Sequence, residues 1–206
     1  VVGIAFGSLL AVPQREVKRM LAYSSVSQFG LVVAAVGIAN GTALTGAMIH
    51  LVGHAIMKGG LFLTAGLVAD VTGARTVGEY EGLAERLPVG AGVFGVLGVA
   101  MVGVPPAVGF VGKWYVALGA IRAESWPLAV VILVSTLLTL AYFARVLERA
   151  YFREPPADAP AVENPPHVSV GMQATVLVAA ALAIGLGLAA FEYGELLAPT
   201  IESLLS

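Results

Sequence analysis

Two histidines and a lysine recur at four-residue intervals in the stretch IHLVGHAIMKGGLF, residues 49 to 62. On an α-helix this spacing places His50, His54 and Lys58 along one face, as a polar stripe about 12 Å long. The surrounding residues are apolar, and charged groups inside a membrane usually face a protein interior or water and mark proton or ion paths. Histidine exchanges protons near neutral pH, and burial favours the neutral form of a lysine. The stripe therefore indicates part of a proton relay.

Two other interpretations of the stripe remain open. The histidines could form hydrogen bonds between helices and hold the bundle together, with no role in transport. His50 and His54 are also spaced as a metal-binding pair, but no carboxylate or third histidine lies nearby in the sequence. Because a metal site needs more ligands than two, we predict no metal here.

A second lysine, Lys113, follows a segment that is suited to interrupt a helix, GVPPAVGFVG. The two prolines remove backbone donors, and glycines admit unusual backbone dihedrals, so we predict a helix break at Gly103, Pro105, Pro106 and Gly109. A broken helix inside a membrane leaves carbonyls that protein or water must satisfy, and such breaks often line ion sites. Lys113 is therefore the second predicted proton-transfer lysine.

The position of Lys113 in the second half-helix allows two expectations. If that half-helix starts near Val111, its positive N-terminus lies against Lys113 and disfavours positive charge there. Alternatively, Lys113 extends to the membrane surface beside Trp114 and Tyr115, whose rings suit that boundary.

The elements that carry these residues follow from composition. The chain has 206 residues, of which 58% are hydrophobic and 12% charged, whereas soluble domains are about one quarter charged. The expected fold is an all-α polytopic membrane protein with about five to six transmembrane helices, one of them broken between Gly103 and Gly109. The net charge of -2 gives no basic stripe for nucleic acid. Candidate spans lie at 21 to 39, 44 to 69, 89 to 121, 127 to 147 and 169 to 190, after the end of a cut helix at 1 to 12.

A polar cluster, YSSVSQ, begins the span at 21 to 39. Its side chains either hold water beside the stripe or form packing contacts between helices. The candidate residues are Ser24, Ser25, Ser27 and Gln28.

The lysines and arginines outside the spans are distributed unequally. Eight lie in the loops at 13 to 20, 70 to 88 and 145 to 168, and the opposite loops contain Arg122 alone. Positive residues concentrate on the cytoplasmic side of membrane proteins. We therefore expect an integral protein of a prokaryotic plasma membrane, with the basic loops in the cytoplasm and the C-terminus outside. The eight residues are Arg15, Lys18, Arg19, Arg75, Arg86, Arg145, Arg149 and Arg153.

Three motifs together resemble a known family. REVKRMLAYSSVSQFGLV, HAIMKGGLFLTAG and GVPPAVGFVGKWYVALGA are similar to the antiporter-like membrane subunits of respiratory complex I, of Mrp-type Na+/H+ antiporters and of related membrane hydrogenases. Members contain two inverted repeats, each with a broken helix. The resemblance implies that residues 1 to 152 form the second repeat, with a partial first helix and four further spans. A Pro-rich acidic loop at 153 to 168 and a final helix with its tail at 169 to 206 would follow.

The resemblance also implies roles for individual residues. Lys58 matches the central lysine of the second repeat, and Lys113 matches the lysine of its broken helix, which is proposed to exchange protons with one side of the membrane. His50 and His54 match histidines that several members have on the central helix. Some members have glutamate at the Lys113 position. The first repeat is missing, so the chain is expected to be a piece of a longer protein or to work beside another chain.

The expected function is a proton-translocating subunit, or a fragment of one, driven by redox reactions elsewhere in a complex of the NADH:quinone oxidoreductase type. We expect no cofactor and no catalytic site in this chain. The expected partners are other membrane subunits including the missing first repeat, the lipid bilayer and H+, with Na+ as an alternative ion. The alternatives are an Mrp-type Na+/H+ antiporter subunit, a membrane scaffold that transports nothing and, least favoured, an enzyme with a lysine-based covalent mechanism.

Overall fold

A computed structural model describes residues 1 to 157 and 168 to 205 of the chain. Residues 158 to 167, most of the predicted Pro-rich acidic loop, lie outside the described residues. The described part is helical apart from its turns and one isolated bridge between Glu16 and Thr76. Its α-helices are α1 (Val2–Ala11), α2 (Val17–Ile38), α3 (Gly41–Thr72), α4 (Leu83–Arg86), α5 (Pro88–Val102), α6 (Val108–Arg122), α7 (Trp126–Phe152) and α8 (Val170–Leu205), with a 3-10 helix at Gly78–Tyr80.

Four described helices are long and apolar enough to cross a membrane: α2, α3, α7 and the Val170–Ala190 part of α8. Helices α5 and α6 have 15 residues each and follow one another across a break, as the overlong apolar segment at 89 to 121 predicted. Helix α1 is short and apolar. The predicted all-α polytopic membrane fold, with one broken helix, is confirmed.

Helix α3 lies at the centre and packs against α2, α5, α6 and α8. Glycines on α6 allow this helix to approach α3 closely. A Cβ atom on Gly112 would lie 2.7 Å from the Cβ of His50, and one on Gly119 would lie 2.7 Å from the Cβ of Ala43. Helices in lipid associate through van der Waals contact, which small residues at the interface permit. The glycines thus place α6 directly against the helix that carries the histidines.

The break itself occupies residues 103 to 107. Gly103 has a φ of 95°, and its N–H donates to the carbonyls of Val99 and Ala100, while the Val104 N–H donates to Val99 as well. A left-handed glycine with such backward bonds is a common way to end a helix. Pro105 and Pro106 follow, joined by a cis peptide bond. Helix α5 therefore ends where the sequence predicted.

The prediction that Gly109 belongs to the break is wrong. Gly109 lies in the first turn of α6, and a Cβ there would lie 2.0 Å from the carbonyl oxygen of Ala100 on α5. Its role is to let the two half-helices touch. On the other side, a Cβ on Gly187 of α8 would lie 2.0 Å from the carbonyl oxygen of Pro106. Helix α8 therefore covers the break at backbone distance.

The three basic loops meet at one end of the helix bundle. The Val17 N–H donates to the Arg75 carbonyl, and the Gly82 N–H donates to the Arg149 carbonyl. Arg149 also forms an ion pair with Glu81. Because these contacts join the start of α2, the segment after α3 and the end of α7, the loops share one end, as single crossings require.

Glu79 stabilises the turn between α3 and α4 at this end. Its Oε2 accepts hydrogen bonds from the N–H groups of Arg75 at 2.7 Å and Thr76 at 2.8 Å. These backbone donors, Arg75 first, hold the pKa of Glu79 below its ordinary value of 4.5. The carboxylate therefore stays charged at neutral pH, and its contribution to stability is lost only as the pH falls through that lowered pKa.

Candidate functional site

All four predicted proton-transfer residues are buried. Their exposed fractions are 1% for His50, 4% for His54, 5% for Lys58 and 7% for Lys113. None of them points into bulk solvent or outward into the position of lipid, either of which would contradict a relay inside the protein. The bundle thus encloses two amines and two imidazoles.

Helix α2 supplies the hydrogen-bond acceptors for Lys58. The Lys58 ammonium donates to the carbonyl of Leu21 at 3.0 Å and to the hydroxyl of Ser24 at 2.5 Å. The ion pairs in the described part of the chain do not include Lys58. Its charge is therefore stabilised by neutral acceptors. A lysine held by neutral acceptors releases its proton more readily than a lysine paired with a carboxylate, because no opposite charge is left uncompensated.

The two histidines face each other along α3. Their ring centroids are 6.2 Å apart with an interplanar angle of 26°, and Phe29 of α2 contacts His54 edge to face. The Nε2 atom of His50 forms a 2.9 Å hydrogen bond with Oε1 of Gln28. Among the described residues, Nδ1 of His50 and Nε2 of His54 have no hydrogen-bond partner. Buried polar atoms are normally bonded, so ordered water is the expected partner of both atoms.

Lys113 contradicts the expectation about its half-helix. Helix α6 begins at Val108, not near Val111, and the Lys113 side chain folds back across the break. Its ammonium donates to the carbonyls of Met101 at 2.8 Å and Val102 at 3.0 Å, the last two residues of α5. These carbonyls are free because the break removes their usual partners. The ammonium thus meets the negative end of α5, not the positive end of α6.

Lys113 also does not extend to the membrane surface. Trp114 beside it has 55% of its surface exposed, whereas Lys113 has 7%. Adjacent residues of a helix point about 100° apart, so Trp114 faces outward while Lys113 faces the bundle. The alternative interpretation of Lys113 as a surface anchor is therefore wrong.

The four groups form one electrostatic set. A charge on Lys113 acts on Lys58, His54 and His50, and a charge on Lys58 acts on His54. Coulomb interactions in a protein interior are several times stronger than in water. A proton held by one member therefore changes the free energy of a proton at the others.

The polar cluster on α2 divides into two kinds of contact. Ser24 and Gln28 bind Lys58 and His50, respectively. Ser27 instead forms a 2.7 Å hydrogen bond with Ser8 of α1, and its hydroxyl lies 3.0 Å from the carbonyl of Ile4. The remaining hydroxyl, of Ser25, bonds to its own helix at Leu21. The sequence predicted the cluster, and the structure assigns half of it to the site and half to packing.

Two site residues on α7 were missed by sequence reasoning. The Tyr142 hydroxyl donates to Oγ1 of Thr139 at 3.2 Å, and it also interacts with Ser24, the residue that binds Lys58. The sequence did contain a signal, because Ser135, Thr139 and Tyr142 follow one another at helical spacing within an apolar span. That stripe resembles the one on α3 and points to the same interior.

Residues 1 to 139 match the sequence profile of a protein family described as NADH:quinone oxidoreductase/Mrp antiporter, TM. A similar protein is the NADH-quinone oxidoreductase subunit N of Desulforudis audaxviator, which is 45% identical over 163 residues. That alignment covers 79% of this chain and 32% of the relative. The chain thus spans about one third of the length of that relative.

Two solved structures are similar to the whole described fold. A chain of respiratory complex I from Thermus thermophilus with bound NADH aligns with a TM-score of 0.88 and 26% identity, covering 99% of this chain and 42% of that one. A chain of the Mrp complex from Dietzia sp. also aligns with a TM-score of 0.88, at 23% identity, covering 99% of this chain and 46% of that one. At that identity the second likeness shows the fold alone.

Proposed function

Because the chain belongs to the NADH:quinone oxidoreductase/Mrp antiporter transmembrane family, we propose that it is part of a proton-translocating membrane subunit. The observation that supports the proposal most directly is the buried, electrostatically coupled set of Lys58, Lys113, His50 and His54. A structural lysine would instead be expected to have a carboxylate partner, and among the described residues neither lysine forms an ion pair.

The proposed mechanism relies on repulsion between two ammonium groups. A proton on Lys113 is held by the terminal carbonyls of α5, and a proton on Lys58 is held by Leu21 and Ser24. Since two positive charges in one interior repel each other, a proton that arrives at one lysine promotes release from the other. Water at the unpaired nitrogens of His50 and His54 would connect the two lysines.

The rest of the assembly is also part of the proposal. The relative from Desulforudis audaxviator is named as a subunit of an NADH-quinone oxidoreductase, which supports redox reactions in other subunits as the driving force. We propose that residues 1 to 152 act as the second of two repeats, that the first repeat lies outside this sequence, and that neighbouring membrane subunits and lipid surround both. We further propose that this chain binds no redox cofactor and contains no catalytic site.

We also propose that the basic end of the bundle faces the cytoplasm of a prokaryotic cell. The 206 residues contain no cysteine, so single cysteines can be introduced at exposed positions. In inside-out plasma-membrane vesicles that contain the full-length subunit, a membrane-impermeant maleimide is expected to label Gly78→Cys and not Ala123→Cys. The subunit without either substitution measures background labelling. Labelling of Ala123→Cys alone would reverse the proposed orientation.

Proton translocation, as opposed to sodium exchange, is tested with the intact complex in sealed vesicles. We expect substrate oxidation to acidify the vesicle lumen at the same rate in sodium-free medium as in medium with sodium, because neutral amines and imidazoles bind protons and have little affinity for Na+. A pH-sensitive dye in the lumen measures the rate. Acidification that disappears without sodium would instead support the Mrp-type function, for which the structures provide the fold alone.

A further inference from the structure

A row of three buried hydroxyl groups begins at Lys58 and runs from α2 to α7. Ser24 accepts a hydrogen bond from Lys58, Tyr142 interacts with Ser24, and Tyr142 donates to Thr139 at 3.2 Å. Thr139 in turn donates to the carbonyl of Ser135 at 2.7 Å. The row therefore runs from an ammonium, which only donates, to a carbonyl, which only accepts.

The row is closed to solvent. The exposed fractions of Ser24, Tyr142 and Thr139 are 0%, 1% and 0%. Each hydroxyl must find its partners within the protein, because an unpaired polar group in such a place carries the full cost of desolvation. The direction in which each O–H points is thus determined by its neighbours along the row.

The charge on Lys58 determines that direction. A protonated Lys58 donates to Ser24, so the Ser24 O–H points to Tyr142 and the Tyr142 O–H points to Thr139. A neutral Lys58 has a lone pair that accepts a hydrogen bond, so the Ser24 O–H can turn to the amine. The Ser24 oxygen then accepts a hydrogen bond from the Tyr142 O–H, which turns away from Thr139. The hydroxyl groups only rotate. Every covalent O–H bond stays intact, and no proton leaves the three hydroxyl groups.

We propose that Ser24, Tyr142 and Thr139 form a reversible hydroxyl chain that keeps Lys58 hydrogen-bonded in both its charged and its neutral form. The inference rests on the proposed function, since only a lysine that changes charge needs both arrangements. Tyr142 is the central member because it must accept from Ser24 in one arrangement and donate to Ser24 in the other. Phenylalanine fills the same space and can do neither. Thr139 is needed as an acceptor only while Lys58 is charged.

Position 139 allows a relay role to be separated from a packing role. Valine has the shape of threonine without its hydroxyl, whereas serine has the hydroxyl without the methyl group. If Thr139 serves packing alone, Thr139→Val is harmless and Thr139→Ser leaves a small cavity. If Thr139 belongs to the hydroxyl chain, the order is reversed. Thr136 is a matched control, because it also donates to a carbonyl one turn back, that of Ile132, whereas Tyr142 bonds to Thr139.

The test measures proton translocation and subunit content of the intact complex in vesicles. We expect Tyr142→Phe and Thr139→Val each to lower the translocation rate by about fivefold, the factor that corresponds to loss of one ordinary hydrogen bond. Thr139→Ser and Thr136→Val are expected to match the parent within about twofold, and all four variants to assemble normally.

Two results would overturn the hydroxyl chain while leaving the proposed function intact. The first is a parent-like rate for Tyr142→Phe in a complex that translocates protons and loses that ability in Lys58→Met. The second is a parent-like rate for Thr139→Val combined with impaired Thr139→Ser, which assigns position 139 to packing. If Lys58→Met itself translocates protons normally, the proposed function fails, and that outcome is distinguishable from the other two.

Discussion

Replacing Lys58 with methionine is expected to stop proton translocation by the intact complex and to leave the complex assembled. Methionine matches the length and apolar stem of lysine but has no group that binds a proton. A positioned proton-transfer group typically contributes about 100-fold or more to a rate. We therefore expect lumen acidification to fall at least about tenfold, to the background of the assay. Quantitative blotting of the subunit in purified complexes measures assembly in parallel.

Lys18 is the matched control for this substitution. It is an exposed lysine at the basic end, so Lys18→Met removes the same charge from a place outside the buried set. That variant is expected to acidify the lumen as the parent does. A scaffold role for Lys58 predicts the opposite pattern, in which Lys58→Met loses subunits from the complex while the remaining intact complexes translocate protons normally. Such a result would reject the relay in favour of the scaffold.

Replacing Gly109 with alanine is expected to destabilise the protein strongly for so small a change. The added methyl carbon would lie 2.0 Å from the carbonyl oxygen of Ala100, and backbone at that contact cannot rotate away. Helices α5 and α6 must separate, which costs about 1 to 3 kcal/mol as in other overpacked interiors. Separation also moves Lys113 away from Met101 and Val102, so translocation falls as well. Thermal aggregation of the solubilised complex and lumen acidification measure the two effects.

Gly92→Ala on α5 tests whether the effect comes from the contact. A Cβ atom at Gly92 would meet nothing within 4 Å, so alanine there only adds helix propensity, which is worth about 0.5 to 1 kcal/mol in favour of the helix. This variant is expected to be at least as stable as the parent. Equal stability of Gly109→Ala and Gly92→Ala would show that the two half-helices are not held at the observed distance.

Much of the fold could be predicted from the sequence because the membrane imposes simple requirements. The lengths of the apolar segments predicted the membrane-spanning helices. Gly103, Pro105 and Pro106 predicted the end of α5. The end of the break was predicted less well, since a glycine gives the same signal in a bend and in a close helix contact. Gly109 proved to be the second kind.

The residues of the candidate site whose side chains are polar could be predicted from the sequence. The backbone groups of the site could not. His50, His54 and Lys58 were found because they share a helical face. The acceptors of Lys113 are the carbonyls of Met101 and Val102, which every residue possesses and no pattern distinguishes. For that reason the sequence suggested the wrong helix end as the neighbour of Lys113. Tyr142 was within reach of the same face argument, but the polar residues before it on that face, Ser135 and Thr139, carry only hydroxyl groups, which do not by themselves indicate a proton relay.

The attachment of Lys113 across the break has a mechanical consequence. The amine belongs to α6 and its two acceptors belong to α5, so the binding of a proton there depends on the separation of two half-helices joined by residues 103 to 107. Hydrogen bonds weaken steeply with distance and angle. A change in that separation would therefore alter how firmly the amine holds its proton.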